Sequence, residues 1–157
     1  MVPAHHHVGV QTADLENCLA WYRDFLGAEQ TWSLDRFSEL TSRRLPGIRR
    51  LVEVRVGGTR FHLFERAGRG TEPAHPDTAQ FQHLCMSVDS PRALREMRRH
   101  WNELYDSGRH TFAFSERPTE IVTDDQGVQS FYAYDVNGLE FEFTFIPDGI
   151  DDDQNRD

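Results

Sequence analysis

Apolar and polar positions alternate in two distinct rhythms along this chain, and each rhythm occurs twice in the same order. The run His7-Val-Gly-Val-Gln11 reads as a strand and leads into Asp14-Leu-Glu-Asn-Cys-Leu-Ala-Trp-Tyr-Arg-Asp-Phe-Leu-Gly27. In that second run Leu15, Cys18, Leu19, Tyr22 and Leu26 fall on one helical stripe, Asp14 stands at the N-cap and Gly27 is the stop. The run His83-Leu-Cys-Met-Ser-Val-Asp89 repeats the strand. Ser90 then caps a second helix, Pro91 occupies its first turn, and Leu94, Met97, Trp101 and Leu104 form its stripe.

Period-two runs follow each helix: Arg50–Val56 and Thr59–Phe64 in the first half, then Glu120–Thr123, Gln129–Tyr134 and Leu139–Phe145 in the second. The closing strands of the halves match, Gly58-Thr-Arg-Phe-His-Leu-Phe against Gly138-Leu-Glu-Phe-Glu-Phe-Thr, with His62 and Glu142 each four positions after the glycine. A fixed-order repeat decides architecture before any motif does. The pattern therefore predicts an α+β fold of paired βαβββ modules. Trp32–Ile48 is polar and holds Pro46 and Gly47, and reads as a weak strand and loop. Ala67–Ala79, with Gly68, Gly70, Pro73 and Pro76, reads as a linker. The expected organisation is a single domain over 1–157: module one at 5–66, linker 67–79, module two at 80–146 and an acidic tail at 147–157.

Composition agrees with a packed domain. Hydrophobic residues make up 38% of the 157, with 11 Phe, 4 Tyr and 3 Trp, enough to fill a core despite 27% charged residues. A net charge of −9 argues against nucleic acid, since phosphate binding needs a basic face. No apolar run approaches the ~20 residues that span a bilayer, and the N-terminus lacks a basic region followed by an apolar one, so a soluble cytoplasmic protein is expected. Cys18 and Cys85 form no disulfide framework and are read as reduced packing residues.

Period two places His5, His7, Gly9 and Gln11 on one strand face, Arg60, His62 and Phe64 on another, and Glu140, Glu142 and Thr144 on a third. Histidine or carboxylate inside an apolar sheet is costly unless paired or bound to metal. His7, His62, His83 and Glu142, two from each module, are therefore the candidate ligands of one cation. Three imidazoles and a carboxylate suit Fe, Ni, Co, Zn or Mn better than Ca or Mg. His5 and His6 adjoin His7 and are read as solvent-facing or as residues that orient a ligand. His75, His100 and His110 are read as surface residues.

With these motifs in view, the chain resembles the vicinal oxygen chelate superfamily, also called the glyoxalase, bleomycin-resistance and extradiol dioxygenase superfamily. The resemblance rests on His7-Val-Gly-Val with Asp14-Leu and Trp21-Tyr22, on Tyr134-Asp135-Val-Asn137-Gly138, and on the strand carrying Glu142. It implies metal ligands at His7, His62, His83 and Glu142. The second position is His62 where glyoxalase I-like members carry Glu and methylmalonyl-CoA epimerase-like members carry Gln, which argues against both of those activities. The four ligands leave two adjacent octahedral sites, enough to chelate a hydroxyketone and stabilise the enediolate formed on loss of an α proton.

The run Trp32-Ser-Leu-Asp-Arg-Phe-Ser-Glu-Leu-Thr looks like cyclitol epimerases that act on 2-epi-5-epi-valiolone in natural-product biosynthesis. The resemblance thus implies an isomerase or epimerase of a small-molecule substrate, acting as a homodimer. Base candidates are Glu53, Glu39, Tyr132, Tyr134 and Glu142, and Arg60 and Arg43 could hold an anionic group. Two other readings stay open: a single-domain extradiol dioxygenase using Fe(II), and a non-catalytic drug-binding resistance protein.

Overall fold

The computed structural model describes residues 2–68 and 77–150, so His75, most of the expected linker and the end of the acidic tail lie outside the described residues. The chain divides into two compact units, Met1–Pro73 and Ala74–Asp157. The first contains β1 (Val8–Thr12), α1 (Leu15–Leu26), β2 (Glu29–Leu34), α2 (Glu39–Arg44), β3 (Ile48–Val56) and β4 (Thr59–Arg66); the second contains β5 (Leu84–Ser87), α3 (Pro91–Asp106), β6 (Val122–Thr123), β7 (Gln129–Tyr134) and β8 (Glu140–Phe145).

Each unit holds one four-stranded sheet, in the order β1-β4-β3-β2 or β5-β8-β7-β6. The pairing is parallel between β1 and β4 and between β5 and β8, and antiparallel elsewhere. The same βαβββ topology thus occurs twice, in an α+β fold. Register makes the repeat exact residue by residue: Gly9 lies opposite His62 as Cys85 lies opposite Glu142. Across the antiparallel ladders, Glu53 lies opposite His62 as Tyr132 lies opposite Glu142.

The helices begin and end where their caps dictate. Asp14 accepts a hydrogen bond from the Asn17 amide, and Gly27 closes α1 at φ 65°, a left-handed conformation open to glycine at no steric cost. The apolar stripe is rotated from the expected one. Leu15, Cys18, Trp21, Tyr22 and Phe25 are buried, whereas Leu19 and Leu26 are only half-buried, because the large aromatic rings claim the centre of the face. Ser90 caps α3, whose buried residues are Leu94, Trp101 and Leu104; Met97 is half-buried at the margin.

The segment 32–48 differs from its weak-strand reading. Its first residues complete β2, which is exposed along its whole length, and α2 follows with Ser38 as N-cap. Glu39 in the first turn and Arg43 and Arg44 in the last complement the helix dipole, but α2 buries no residue. A hydrophobic pattern cannot reveal a helix that has no apolar face. The strand expected at Glu120–Thr123 shortens to Val122–Thr123.

The β7–β8 turn sets the register of the second unit. Asp135, fully buried, accepts hydrogen bonds from the amides of Asn137 (2.8 Å) and Leu139 (2.9 Å), and Gly138 takes φ 82°. The Tyr134–Gly138 motif is thus a self-bonded turn that fixes where Glu142 falls on β8. Among the described residues no helix is long and apolar enough to cross a membrane.

Candidate metal and substrate site

In the first unit the site face of the sheet is built around His62. Phe61 and Leu63 of β4 are buried on the opposite face, so strand alternation turns His62 away from the core. Its ring stacks on His7, with centroids 3.7 Å apart and planes 11° apart, and meets the edge of Trp32 at 5.0 Å. Its Nε2–H donates to Glu53 Oε2 at 2.8 Å.

Glu53 is 3% exposed, and its other oxygen, Oε1, accepts from the Thr31 hydroxyl at 2.7 Å. Thr31 reaches it because the β2–β3 register shifts between Gln30 and Trp32, a bulge that re-aims the intervening side chain. The hydrogen bonds from Thr31 and His62 hold the Glu53 carboxyl below the usual range. His7 lies one residue before β1, with its Nδ1 2.9 Å from His6 Nδ1. Burial, then the neighbouring His62 and His6 imidazoles, hold His7 below its ordinary 6.5, which favours the neutral, metal-binding form at neutral pH.

In the second unit His83 and Glu142 meet, Nε2 to Oε2, at 3.2 Å, and Glu140 Oε1 lies 3.8 Å from His83 Nδ1. Tyr132 stands edge-on to the His83 ring at 5.7 Å. Burial and then the Glu142 carboxylate raise the Tyr132 phenol above 10, so it carries its proton at neutral pH. Tyr134 is also raised, by burial and by Glu116 and Glu140.

Cys85 is a correction to the sequence reading. It is exposed rather than packed in the core, because it follows His83 by two residues on the same strand face. Desolvation of the thiol and the facing Glu142 push it up to about 12. His110 is a second correction: it is 8% exposed, not a surface residue. His100, half-buried on α3, lies 3.9 Å from Glu103. Glu39, the remaining base candidate, is exposed on α2 beside Arg43; Arg60, the other candidate for holding an anionic group, is exposed on β4.

The four expected ligands are thus found as two pairs, His7 with His62 and His83 with Glu142. Among the described residues no three or more His, Cys, Asp and Glu side chains form one group arranged to hold a metal ion. The donor types suit a divalent ion, but only the His83–Glu142 pair is spaced for one: an imidazole lone pair lies in its ring plane, and the His7 and His62 rings, 3.7 Å apart and within 11° of parallel, do not aim at a common point. Two donors bound cis to one cation at ~2.0–2.2 Å lie about 3 Å apart, and the His83–Glu142 separation is 3.2 Å.

Thr31, Trp32, Glu140 and Cys85 are additions that sequence reasoning missed. Two-residue spacing from His83 and Glu142 was a usable signal for Cys85 and Glu140. A bulge leaves no such signal for Thr31.

Residues 4–143 match the model of the Glyoxalase/Bleomycin resistance protein/Dioxygenase superfamily, and the chain belongs to that family. Among solved structures it is similar to a glyoxylase/bleomycin resistance protein/dioxygenase domain from Frankia sp. EAN1pec, with a TM-score of 0.73 at 17% identity over 95% of this chain and 96% of that one. A fosfomycin resistance protein, FosX, from Listeria monocytogenes, complexed with Mn(II) and sulfate ion, aligns with a TM-score of 0.60 at 14% identity over 94% and 95% of the two chains. Lactoylglutathione lyase from Agrobacterium tumefaciens aligns at 0.58 with 20% identity over 90% and 92%. At such identities the likeness shows the fold. Among curated proteins, none matches the chain.

Proposed function

We propose that this chain is a divalent-metal-dependent epimerase or isomerase of a small hydroxyketone, of the cyclitol class that includes 2-epi-5-epi-valiolone, and that it works as a homodimer. His7, His62, His83 and Glu142 are its ligands for one Fe, Ni, Co, Zn or Mn ion. The observation that carries the reading is the equivalence of the two polar pairs: His62 and Glu142 occupy matching register positions, and His7 and His83 each lie two residues before the position opposite. The fold of a manganese-binding FosX supports it at the level of architecture.

When bound, the cation supplies Lewis acidity toward a carbonyl whose neighbouring hydroxyl is also chelated. Proton transfer falls to the chain's own groups. Tyr132, protonated and beside His83, is suited to return a proton to carbon or to hold a substrate oxygen. Glu142, the carboxylate of the ligand set, is the candidate for removing the α proton.

The test is metal analysis combined with solvent exchange. One divalent ion per chain, and deuterium entering the α position of a cyclitol ketone without oxygen consumption, are expected. Substrate-dependent oxygen uptake with a catechol would replace the reading with a dioxygenase. Protein that takes up no cation but binds a drug would make it a sequestering protein.

A further inference from the structure

We propose that Arg60, with Arg55 opposite it, forms a subsite for the oxyanion of a bound small molecule, a phosphate or carboxylate group. This deepens the functional reading by adding an anionic group to the hydroxyketone. For the rest of that molecule it rests on that reading, whereas the anion is held by the chain's own residues with no cation.

On the site face of the first unit, cross-strand register arranges side chains in three rows. Glu29, Arg55 and Arg60 lie opposite one another across β2, β3 and β4. Two residues further along β4 comes His62, opposite Glu53. Two further again comes Phe64, opposite Leu51 and, through it, Leu34. Strand alternation puts the rows on one face, and the bulge between Gln30 and Trp32 keeps both Glu29 and Leu34 on it.

The charged row is unbalanced. Arg55 and Arg60 are directly opposite, a placement in which like charges destabilise a ladder. Arg55 is matched by Glu29 at 3.1 Å. Arg60 is not: among the described residues its guanidinium makes no ion pair, and the carboxylate of the next row, Glu53, is engaged through both oxygens by Thr31 and His62. Arg60 is also exposed, so packing gives no reason for a second arginine here. A bound oxyanion supplies the missing charge, because a guanidinium fork takes two oxygens of one phosphate or carboxylate through parallel N–H···O bonds. With a net charge of −9 the chain as a whole repels anions, so binding of one has to come from a local pair of cations.

The rows also orient the ligand. Two strand residues at ~3.4 Å each put the anion about 7 Å from the group that sits against His62. Gly9 faces His62 from β1 without a side chain, and a Cβ there would meet nothing nearer than the Phe64 ring, at 3.8 Å. The face is thus open between the charged row and the apolar row, where Leu34 is 48% exposed. The ligand class is a small molecule with an oxyanion at one end and an apolar edge at the other.

The test is carbon-13-detected NMR of the arginine Cζ signals in the full, metal-free chain. At about pH 8 ordinary histidine is neutral and adds no positive charge to the site. Inorganic phosphate, acetate and chloride are added separately at matched ionic strength. Saturable movement of Arg60 and Arg55 with phosphate or acetate, and none with chloride, is expected; the tighter of the two assigns the group as phosphate or carboxylate. Arg60→Gln should weaken that binding roughly tenfold or more, as loss of a charge-assisted hydrogen bond does. Arg60→Lys keeps the charge without the fork and should weaken it less. Glu29→Gln frees Arg55 and should tighten it. Arg95→Gln, an exposed arginine of α3, changes the net charge equally and should leave binding as in the wild type. Backbone amide spectra report whether each variant is folded.

Chloride moving Arg60 as far as phosphate and acetate do, or a folded Arg60→Gln binding as tightly as the wild type, overturns the inference. So does an equal loss in Arg95→Gln, which would make the effect one of bulk charge. Failure of the chain to take up a divalent ion ends the functional reading above and leaves this measurement unaffected, since no cation enters it.

Discussion

His62, Glu53 and Cys85 show how one register decides chemistry at single positions. His62 and Cys85 are each flanked by residues of the opposite face, and each is turned to the site side by strand alternation alone. What surrounds them differs. Glu53 meets two donors and stays ionised, whereas the Cys85 thiol meets partial burial and the Glu142 carboxylate, and both disfavour the thiolate. The thiol rises from 9.0 to about 12, so metal-free protein at pH 8 should alkylate with iodoacetamide on the order of a thousandfold more slowly than an unperturbed thiol, since the thiolate is the nucleophile. Cys18 is buried and does not compete in the folded state. Glu142→Gln removes the nearby charge and should speed the reaction, as intact-mass kinetics can follow. An unchanged rate would mean that desolvation alone sets the thiol.

At the scale of elements, turns and bulges do most of the aiming. The β7–β8 turn depends on Asp135, whose Oδ1 takes two backbone amides and whose Oδ2 accepts from the Asn137 side chain at 3.0 Å. Hydrogen bonds to a charged acceptor contribute about 1.5–3 kcal/mol each, and buried amides left without an acceptor cost further. Asp135→Ala should therefore lower stability by roughly 3 kcal/mol or more in urea titration, and Asp135→Asn by less, because it keeps one acceptor oxygen. Weaker binding of a cation in Asp135→Ala is expected as well, since the turn sets the register of Glu142. A stability change within ~0.5 kcal/mol, the ordinary range for surface substitutions, would show that the turn is held by other means.

For the whole molecule, the proposed cation is tested by its linkage to folding. A ligand that binds only the folded state at 100 times its dissociation constant adds about 2.7 kcal/mol. For a chain of this size that should raise Tm by roughly 5–10 °C, and a chelator should reverse it. The same addition should leave His83→Ala unmoved, and equal shifts in wild type and variant would place the ion elsewhere.

Much of this architecture was legible in the sequence. Duplicated strand and helix patterns, the caps at Asp14 and Ser90, and the match of Gly58–Phe64 with Gly138–Thr144 predicted two βαβββ modules, because hydrophobic period and cap chemistry are local properties of the chain. Local signals also singled out His7, His62, His83 and Glu142, as polar residues interrupting apolar strands. Other features depended on contacts between segments distant in sequence. The rotation of the α1 stripe toward Trp21 and Phe25, the surface helix α2, and the exposure of Cys85 are decided by what each residue packs against. The bond from Glu53 to His62 depends on cross-strand register, and the bond from Thr31 to Glu53 on a bulge. Neither leaves a period in the sequence, so only the tertiary structure decided them.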